Sequence, residues 1–230
     1  MAVILLSGGL DSALNLALAA RDGKAHLALT MRYGQRAEAP ELAASEKLAR
    51  HYGAEWKSLD VSWLGEVNPT SLTRKGHALP LFQLDELDRL DLGTASAKAV
   101  WVANRNGLFL NIAAAYAEAL GKTEVFVGFN REEAATFPDN SAAFMEALNR
   151  SLSFSTMNQV KIASYTLDWD KPEIMAQAIE AKLPLDLVWS CYEAGPDRCW
   201  VCESCKRSER ALLSAGAEGK RWLNRMGWKA

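Results

Sequence analysis

Short apolar runs alternate with longer segments of helical periodicity along most of the chain. Residues 2–6 form a continuous apolar run, which is typical of a strand buried on both faces of a parallel sheet. Because strands and helices follow one another in turn, the pattern predicts an α/β fold, a Rossmann-like parallel sheet with helices on both faces. The other predicted strands are 25–31, 55–61, 124–129 and 160–165, and the predicted helices are 13–20, 37–51, 107–120, 142–152 and one that begins at Pro172.

Two parts of the chain depart from this alternation. Residues 62–100 have no clear period and contain several prolines and glycines, so we expect an irregular insertion there. After Pro184 the character changes, because all four cysteines occur close together and a basic helix at 206–213 follows. The pattern predicts an α/β domain of residues 1–165 and a small C-terminal helical segment of residues 166–230.

Composition and charge exclude several classes of protein. With 49% hydrophobic and 23% charged residues among 230, the chain is neither disordered nor fibrous. A net charge of −2 gives no overall positive field, so we expect neither nucleic acid nor a membrane surface as a partner. The N-terminal apolar run is too short for a membrane span and lacks the basic flank of a signal peptide, which makes the cytoplasm the expected location.

The hexapeptide Ser7-Gly8-Gly9-Leu10-Asp11-Ser12 lies between the first predicted strand and the first predicted helix. Backbone N–H groups and the positive end of a helix dipole form an anion site at such a position, and glycines let phosphate oxygens approach the backbone. The loop is neither a Walker A motif nor a G-x-G-x-x-G motif. A tight turn with Asp11 or Ser12 as the helix cap is the alternative, but the whole motif after an apolar strand favours phosphate.

The four cysteines follow the spacing C-x₇-C-x₂-C-x₂-C. Closely spaced thiols in a reducing compartment favour a tetrahedral metal site over disulfides, and we expect Zn²⁺. An iron–sulfur cluster is the first alternative and disulfides are the second. Four thiolates leave no open position for water, so the site is expected to be structural. The predicted ligands are Cys191, Cys199, Cys202 and Cys205.

The hexapeptide matches the S-G-G-x-D-S motif of the PP-loop ATPases at every fixed position, and the chain therefore resembles that superfamily. The resemblance implies an adenine nucleotide alpha hydrolase-like fold, ATP bound by its pyrophosphate, and Mg²⁺ near Asp11. Residues 167–174 resemble the K-x-E-I/V segment, in which Lys171 would reach the ATP phosphates; the alternative is a solvated lysine before a helix. The implied nucleotide-binding residues are Leu6, Ser7, Gly8, Gly9, Leu10, Asp11 and Ser12.

The phosphate loop, the cysteine spacing and the chain length together are similar to the 7-cyano-7-deazaguanine synthases. Residues 33–36 look like the Y-x-Q-R segment of that family, residues 104–110 look like its R-N-x-x-F-L helix start, and residues 128–139 resemble its acidic loop. The chain departs from the family at Ala103, near a usual proline, and at Asn140, where many members have cysteine. Both departures concern the substrate loop and leave the nucleotide loop intact.

This resemblance implies that the carboxylate of 7-carboxy-7-deazaguanine is activated as an acyl adenylate, that ammonia forms the amide, and that a second ATP converts the amide to the nitrile. It also implies a homodimer. Asp11, Lys171, Arg105 and Glu133 are the expected catalytic residues, and Arg36 and Asp139 are expected to contact nucleotide or substrate.

Other interpretations remain open at this point. Each of the charges at Arg36, Arg105, Glu133 and Asp139 could be an ordinary solvated or cap-forming side chain. A PP-loop enzyme that thiolates tRNA is the first alternative function, although a closed metal site would leave it no free cysteine. A nucleotide-binding module without catalysis is the second.

Overall fold

The structure, a computed structural model, describes residues 1–228 and is built around a five-stranded sheet in the order β3-β2-β1-β4-β5. Every pair of neighbouring strands is parallel, which confirms the predicted fold class. The strands are β1 (Ala2–Leu5), β2 (Ala25–Arg32), β3 (Glu55–Asp60), β4 (Glu124–Phe126) and β5 (Lys161–Ala163).

Helices cover both faces of this sheet, as the alternating pattern predicted. Two 3₁₀ turns, at Leu84–Glu86 and Pro138–Asn140, accompany them. The helices are α1 (Leu10–Arg21), α2 (Glu38–His51), α3 (Trp63–Val67), α4 (Leu90–Val100), α5 (Arg105–Ala119), α6 (Arg131–Ala134), α7 (Ala142–Ser155), α8 (Lys171–Glu180), α9 (Glu203–Ser214) and α10 (Gly216–Arg225).

The alternation of side chains along β1 divides the core into two layers. Ala2 and Ile4 are fully buried on one face, against α1, α8 and α9. Val3 and Leu5 point to the other face and pack against α5 and α7. Because β1 is covered on both sides, its apolar run without polar alternation is what a central parallel strand requires. The division of the chain near residue 165 stays a prediction, and helices from both sides of it share the first layer.

From β1 the chain continues to β2 and β3 on one side of the sheet, and β4 and β5 are added on the other side. The loops that follow β1 and β4 therefore diverge at the carboxyl ends of these two strands. In open α/β sheets such a switch point leaves a crevice where ligands bind. The loop at residues 6–9 and the segment at residues 127–130 border this crevice.

The structure corrects the expectation that residues 62–100 are irregular. α3 and α4 lie at the two ends of this segment, and irregular backbone is concentrated between them. Helix α4 was missed because Gly93 and Thr94 interrupt an otherwise short alanine-rich pattern. After Pro184 the chain also forms two helices, α9 and α10, where one was predicted. Within residues 1–228, every helix is too short or too polar to span a lipid bilayer.

Candidate functional site

A cavity of about 280 Å³ lies at the crevice where β1 and β4 end. It is bordered by the loops after β1, β2 and β4 and by residues of α8 and α9. The sequence-predicted site residues that line it are Leu6, Ser7, Gly9, Leu10, Asp11, Ser12, Arg36, Arg105, Glu133 and Lys171. Gly8 and Asp139 are not among the lining residues. Gly8 packs against α2, and Asp139 lies near Arg105.

Two serine hydroxyls fold the loop between β1 and α1 into a tight turn. The Ser12 hydroxyl accepts the N–H of Ser7 (3.2 Å) and donates to the carbonyl of Gly9 (3.1 Å). The hydroxyls of Ser7 and Ser12 are 3.1 Å apart. Gly9 caps α1 without a side-chain hydrogen bond, so the first N–H groups of this helix face the cavity without a side-chain cap. This arrangement suits an anion at the helix N-terminus.

Two glycines make the close packing of this loop possible. Gly8 has a φ of +84°, and a Cβ there would lie 2.9 Å from the Cβ of Ala44 on α2. Gly128, just after β4, lies against α1, where a Cβ would be 2.6 Å from the backbone nitrogen of Ser12. Any side chain at either position would push the loop away from its neighbours.

Lys171 brings the loop and the segment after β4 together. Its ammonium, only 9% exposed, donates to Oδ2 of Asp11 (2.5 Å) and to Oε1 of Glu133 (2.9 Å). Asn130 fixes Glu133 by capping α6, since its side-chain oxygen accepts the N–H of Glu133 (2.8 Å). Asp170 caps α8 and so sets where Lys171 begins the helix. Three predicted catalytic residues therefore meet at one end of the cavity.

The charges of this triad are strongly coupled. Burial raises the pKa of Asp11 to about 6, although the Lys171 ammonium opposes the rise. Burial also acts on Glu133, but there Lys171 prevails and the pKa is lowered. Burial disfavours the charge on Lys171, yet the two carboxylates outweigh it and raise the pKa. The second oxygen of Asp11, Oδ1, is buried and has no hydrogen-bond partner.

Arg105 also lines the cavity, next to Tyr33 and Asp139. Its guanidinium sits over the ring of Tyr33, 5.6 Å from the centroid, and donates to the Tyr33 hydroxyl (3.3 Å). Burial opposes its charge, but Tyr33 and Asp139 raise its pKa. Burial raises the pKa of Asp139, and Arg105 opposes this rise. A guanidinium held beside an aromatic ring suits a planar ligand with a carboxylate.

Arg36 lies at the cavity edge but is engaged by the protein itself. It forms an ion pair with Glu193 and donates to the carbonyl of His77 (3.0 Å). Its Nε is buried and without a hydrogen-bond partner. Arg36 thus links the segment after β2 to the loop that carries Cys191.

Several lining residues were not singled out from the sequence. Glu41 on α2 accepts a hydrogen bond from Gln35 (2.9 Å), and burial raises its pKa to about 7. Arg207 on α9 forms ion pairs with Glu132 and Glu203. Their sequence signal is weak, because isolated charges on helices are usually solvated. Tyr192 also lines the cavity, beside the first cysteine of the cluster.

The four cysteines form one cluster beside the cavity. Their sulfur atoms all lie within 4.8 Å of one another, and those of Cys199 and Cys205 are 3.9 Å apart. The backbone N–H groups of Glu193 and Cys199 both donate to the sulfur of Cys191 at 3.4 Å, as is usual around thiolates that bind a metal. The predicted grouping of the cysteines is confirmed, and the cluster has room for a single metal ion.

The family model and the curated relatives agree on one family. The family model of queuosine biosynthesis protein QueC matches residues 1–216. The 7-cyano-7-deazaguanine synthase of Desulforamulus reducens is 49% identical over 93% of this chain and 94% of its own length. That of Desulforudis audaxviator is 48% identical over 93% of this chain and 97% of its own length. Among solved structures, NMN synthetase from Francisella tularensis has a TM-score of 0.47 at 16% identity, covering 99% of this chain and 87% of that one.

Proposed function

The chain belongs to the family of queuosine biosynthesis protein QueC, and from this membership we propose that it acts as a 7-cyano-7-deazaguanine synthase. It is an ATP-dependent ligase that joins 7-carboxy-7-deazaguanine and ammonia. The observation that carries this proposal is one cavity lined by an anion loop, by a buried lysine and by an arginine held over Tyr33.

The reaction has two activations. In the first, a carboxylate oxygen attacks the α-phosphorus of ATP, pyrophosphate leaves, and ammonia then displaces AMP to give the amide. In the second, the amide oxygen attacks the α-phosphorus of another ATP, pyrophosphate leaves, and loss of AMP and of both amide N–H protons gives the nitrile. Both steps transfer an AMP group to an oxygen of the same substrate, so one cavity serves both.

The phosphate end of the cavity is formed by Ser7, Gly9 and Ser12 with the N-terminus of α1. Backbone N–H groups that already point at the leaving pyrophosphate stabilise its charge without reorganisation. Lys171 adds a positive charge next to this loop. When ATP binds, its phosphates compete with Asp11 and Glu133 for the ammonium, and the lysine turns toward them.

Asp11 and Glu133 are the residues that would hold Mg²⁺. The buried Oδ1 of Asp11 lacks a partner, and carboxylate oxygens are preferred Mg²⁺ ligands. The ion would neutralise charge on the phosphates. Until the nucleotide arrives, the Lys171 ammonium favours the ionised form of both carboxylates.

The substrate end of the cavity is formed by Arg105 together with aromatic and amide side chains. Arg105 orients the carboxylate of 7-carboxy-7-deazaguanine, and its charge is favoured by Tyr33 and by the nearby Asp139. Asn140 is buried and lines the cavity where many relatives were expected to have cysteine, and its amide donates to Asp139 (3.3 Å).

Zn²⁺ fits the cysteine cluster. A tetrahedral zinc site with bonds of about 2.3 Å separates its sulfur atoms by about 3.8 Å, close to the 3.9 Å between Cys199 and Cys205. A cluster of several iron atoms would hold the four sulfurs further apart than 4.8 Å. All four cysteines of the chain belong to this cluster, so none remains to carry a persulfide for tRNA thiolation. A homodimer and a cytoplasmic location remain predictions.

AMP release tests the proposed function. Purified protein is incubated with ATP, Mg²⁺ and ammonium, with or without 7-carboxy-7-deazaguanine, and nucleotides are separated by chromatography. AMP that requires the deazaguanine acid supports the synthase. AMP release that requires tRNA would support the thiolating alternative, and nucleotide binding without AMP release under either condition would support the non-catalytic module.

A further inference from the structure

The carboxylate of Glu132 joins α9 to the first residue of α8. Its Oε1 forms ion pairs with Arg207 and with Nη2 of Arg210 (2.9 Å), both on α9. Its Oε2 accepts the backbone N–H of Lys171 (3.2 Å). The Glu132 side chain is 16% exposed, so water screens these charge-assisted contacts less than it screens a surface ion pair.

The short helix α6 thus contacts both the backbone and the side-chain ammonium of Lys171. Glu132 binds the backbone N–H of Lys171, and the adjacent Glu133 binds its ammonium (2.9 Å). The two carboxylates are neighbours in sequence, so a shift of α6 relative to α8 changes both contacts together.

The other side of this link is the helix that carries half of the cysteine cluster. Cys202 is the N-cap of α9 and Cys205 lies in its first turns. Arg207 also donates to Oε1 of Glu203 (2.7 Å), which is buried and accepts the hydroxyl of Ser96 on α4. Arg207 therefore projects from a part of α9 that the metal site and α4 both fix.

We propose that Glu132 is a positioning residue, which holds Lys171 at the phosphate end of the cavity by tying α8 to the metal-bearing start of α9. The inference rests on the proposed function insofar as Lys171 contacts the phosphates of ATP. Through this link the metal site contributes to nucleotide binding indirectly, although none of the four cysteines lines the cavity. Displacement of a binding group by about 1 Å is enough to weaken its action up to about 100-fold.

The test compares the dissociation constants of ATP·Mg²⁺, measured by calorimetry, for the wild type, Glu132→Gln, Lys171→Met and the double variant. Glutamine keeps the size of the side chain but presents an uncharged group to the two arginines. We expect Glu132→Gln to weaken ATP about tenfold and Lys171→Met to weaken it more. If Glu132 acts through Lys171, the double variant binds ATP no more weakly than Lys171→Met alone.

Arg131→Gln is the matched control. Arg131, on α6, forms exposed ion pairs with Asp170, the N-cap of α8, and with Glu173 on α8. These pairs also join α6 to α8, but in contact with solvent. This variant is expected to leave ATP affinity unchanged. The metal content and the affinity for 7-carboxy-7-deazaguanine of Glu132→Gln are measured in parallel, and both are expected to match the wild type, whereas the melting temperature is expected to fall because partly buried ion pairs are weakened.

Wild-type ATP affinity in Glu132→Gln, or losses that add in the double variant, would overturn the proposal. Loss of metal, or an equal loss of affinity for 7-carboxy-7-deazaguanine, would also overturn it, because Glu132 would then be a general structural residue. Failure of the proposed function gives a different result: ATP·Mg²⁺ binds, but no AMP forms with 7-carboxy-7-deazaguanine. The ATP affinities of the wild type and the three variants would then still test whether Glu132 acts through Lys171. A wild type that does not bind ATP would refute both.

Discussion

Replacing Asp11 with Asn is expected to stabilise the protein while abolishing its activity. One Asp11 oxygen contacts Lys171, and the other is buried without a partner. Burial raises the pKa of this carboxyl from 3.8 to about 6 in spite of Lys171. The ionised form is therefore less favourable in the folded protein than in the unfolded chain, and asparagine resembles the protonated acid.

The magnitude follows from the pKa difference. A difference of about 2 pKa units corresponds to about 3 kcal/mol, since each unit is worth about 1.4 kcal/mol. Because the folded state binds the proton more tightly, the free energy of unfolding falls as the pH rises from about 4 to about 6 and stays lower above that. Asp11→Asn is thus expected to gain about 3 kcal/mol at pH 7 and about half of that at pH 5. The melting temperature at pH 7 is expected to rise by about 6–12 °C.

Urea denaturation followed by tryptophan fluorescence at pH 7 and pH 5 measures this gain. Asp60→Asn is the control, because Asp60 is exposed and the backbone N–H of Ser62 lowers its pKa, so removal of its charge brings no stabilisation. AMP formation by Asp11→Asn is expected to fall about 100-fold or more, since a ligand for Mg²⁺ is lost. The reasoning is refuted if Asp11→Asn is less stable than the wild type at pH 7, or if its gain is as large at pH 5.

Three further variants test other parts of the site. Gly8→Ala is expected to lower the free energy of unfolding in urea by about 1–3 kcal/mol, because the backbone there is left-handed and a Cβ would crowd Ala44. Arg105→Lys is expected to raise the KM for 7-carboxy-7-deazaguanine about tenfold without changing that for ATP, because lysine lacks the planar, forked group that contacts Tyr33 and suits a carboxylate. Cys199→Ser is expected to lose its bound metal in elemental analysis and to melt at a lower temperature, since only three thiolates remain.

Each of these variants has an outcome that contradicts the account. Gly23→Ala is the control for Gly8→Ala, because Gly23 also has a positive φ but a Cβ added there would meet no atom within 4 Å. Equal losses in the two variants would attribute the effect to the backbone alone. A higher KM for ATP in Arg105→Lys would assign Arg105 to the nucleotide, and full metal content in Cys199→Ser would remove Cys199 from the metal site.

The sequence predicts most of the sheet because β1 is buried on both faces and carries an uninterrupted apolar run. Helix α4 escaped prediction because its glycine and small polar residues obscure the apolar face, and because one of those polar residues, Ser96, finds its partner Glu203 only in the folded protein. Short strands such as β5 were predicted too long, because pairing with a single neighbour limits their hydrogen bonds.

The candidate site also combines parts that the sequence predicts with parts that only the fold reveals. The phosphate loop and the cysteine cluster are contiguous in sequence, so their spacing predicts that they lie together. The contact between Lys171 and Asp11 joins residues far apart in the chain and was reached only through a resemblance. Glu132 and Arg207 were missed altogether, because each alone is indistinguishable from a solvated helix charge, and only the fold makes them partners.

The central claim is that this chain makes the nitrile by two AMP-forming activations in one cavity. The most direct measurement supplies ¹⁵N-labelled ammonium, ATP, Mg²⁺ and 7-carboxy-7-deazaguanine, and determines product mass and AMP yield together by mass spectrometry and chromatography. The account predicts a nitrile carrying one ¹⁵N atom and two molecules of AMP for each nitrile formed. Formation of ADP in place of AMP, or a product without the label, would contradict it.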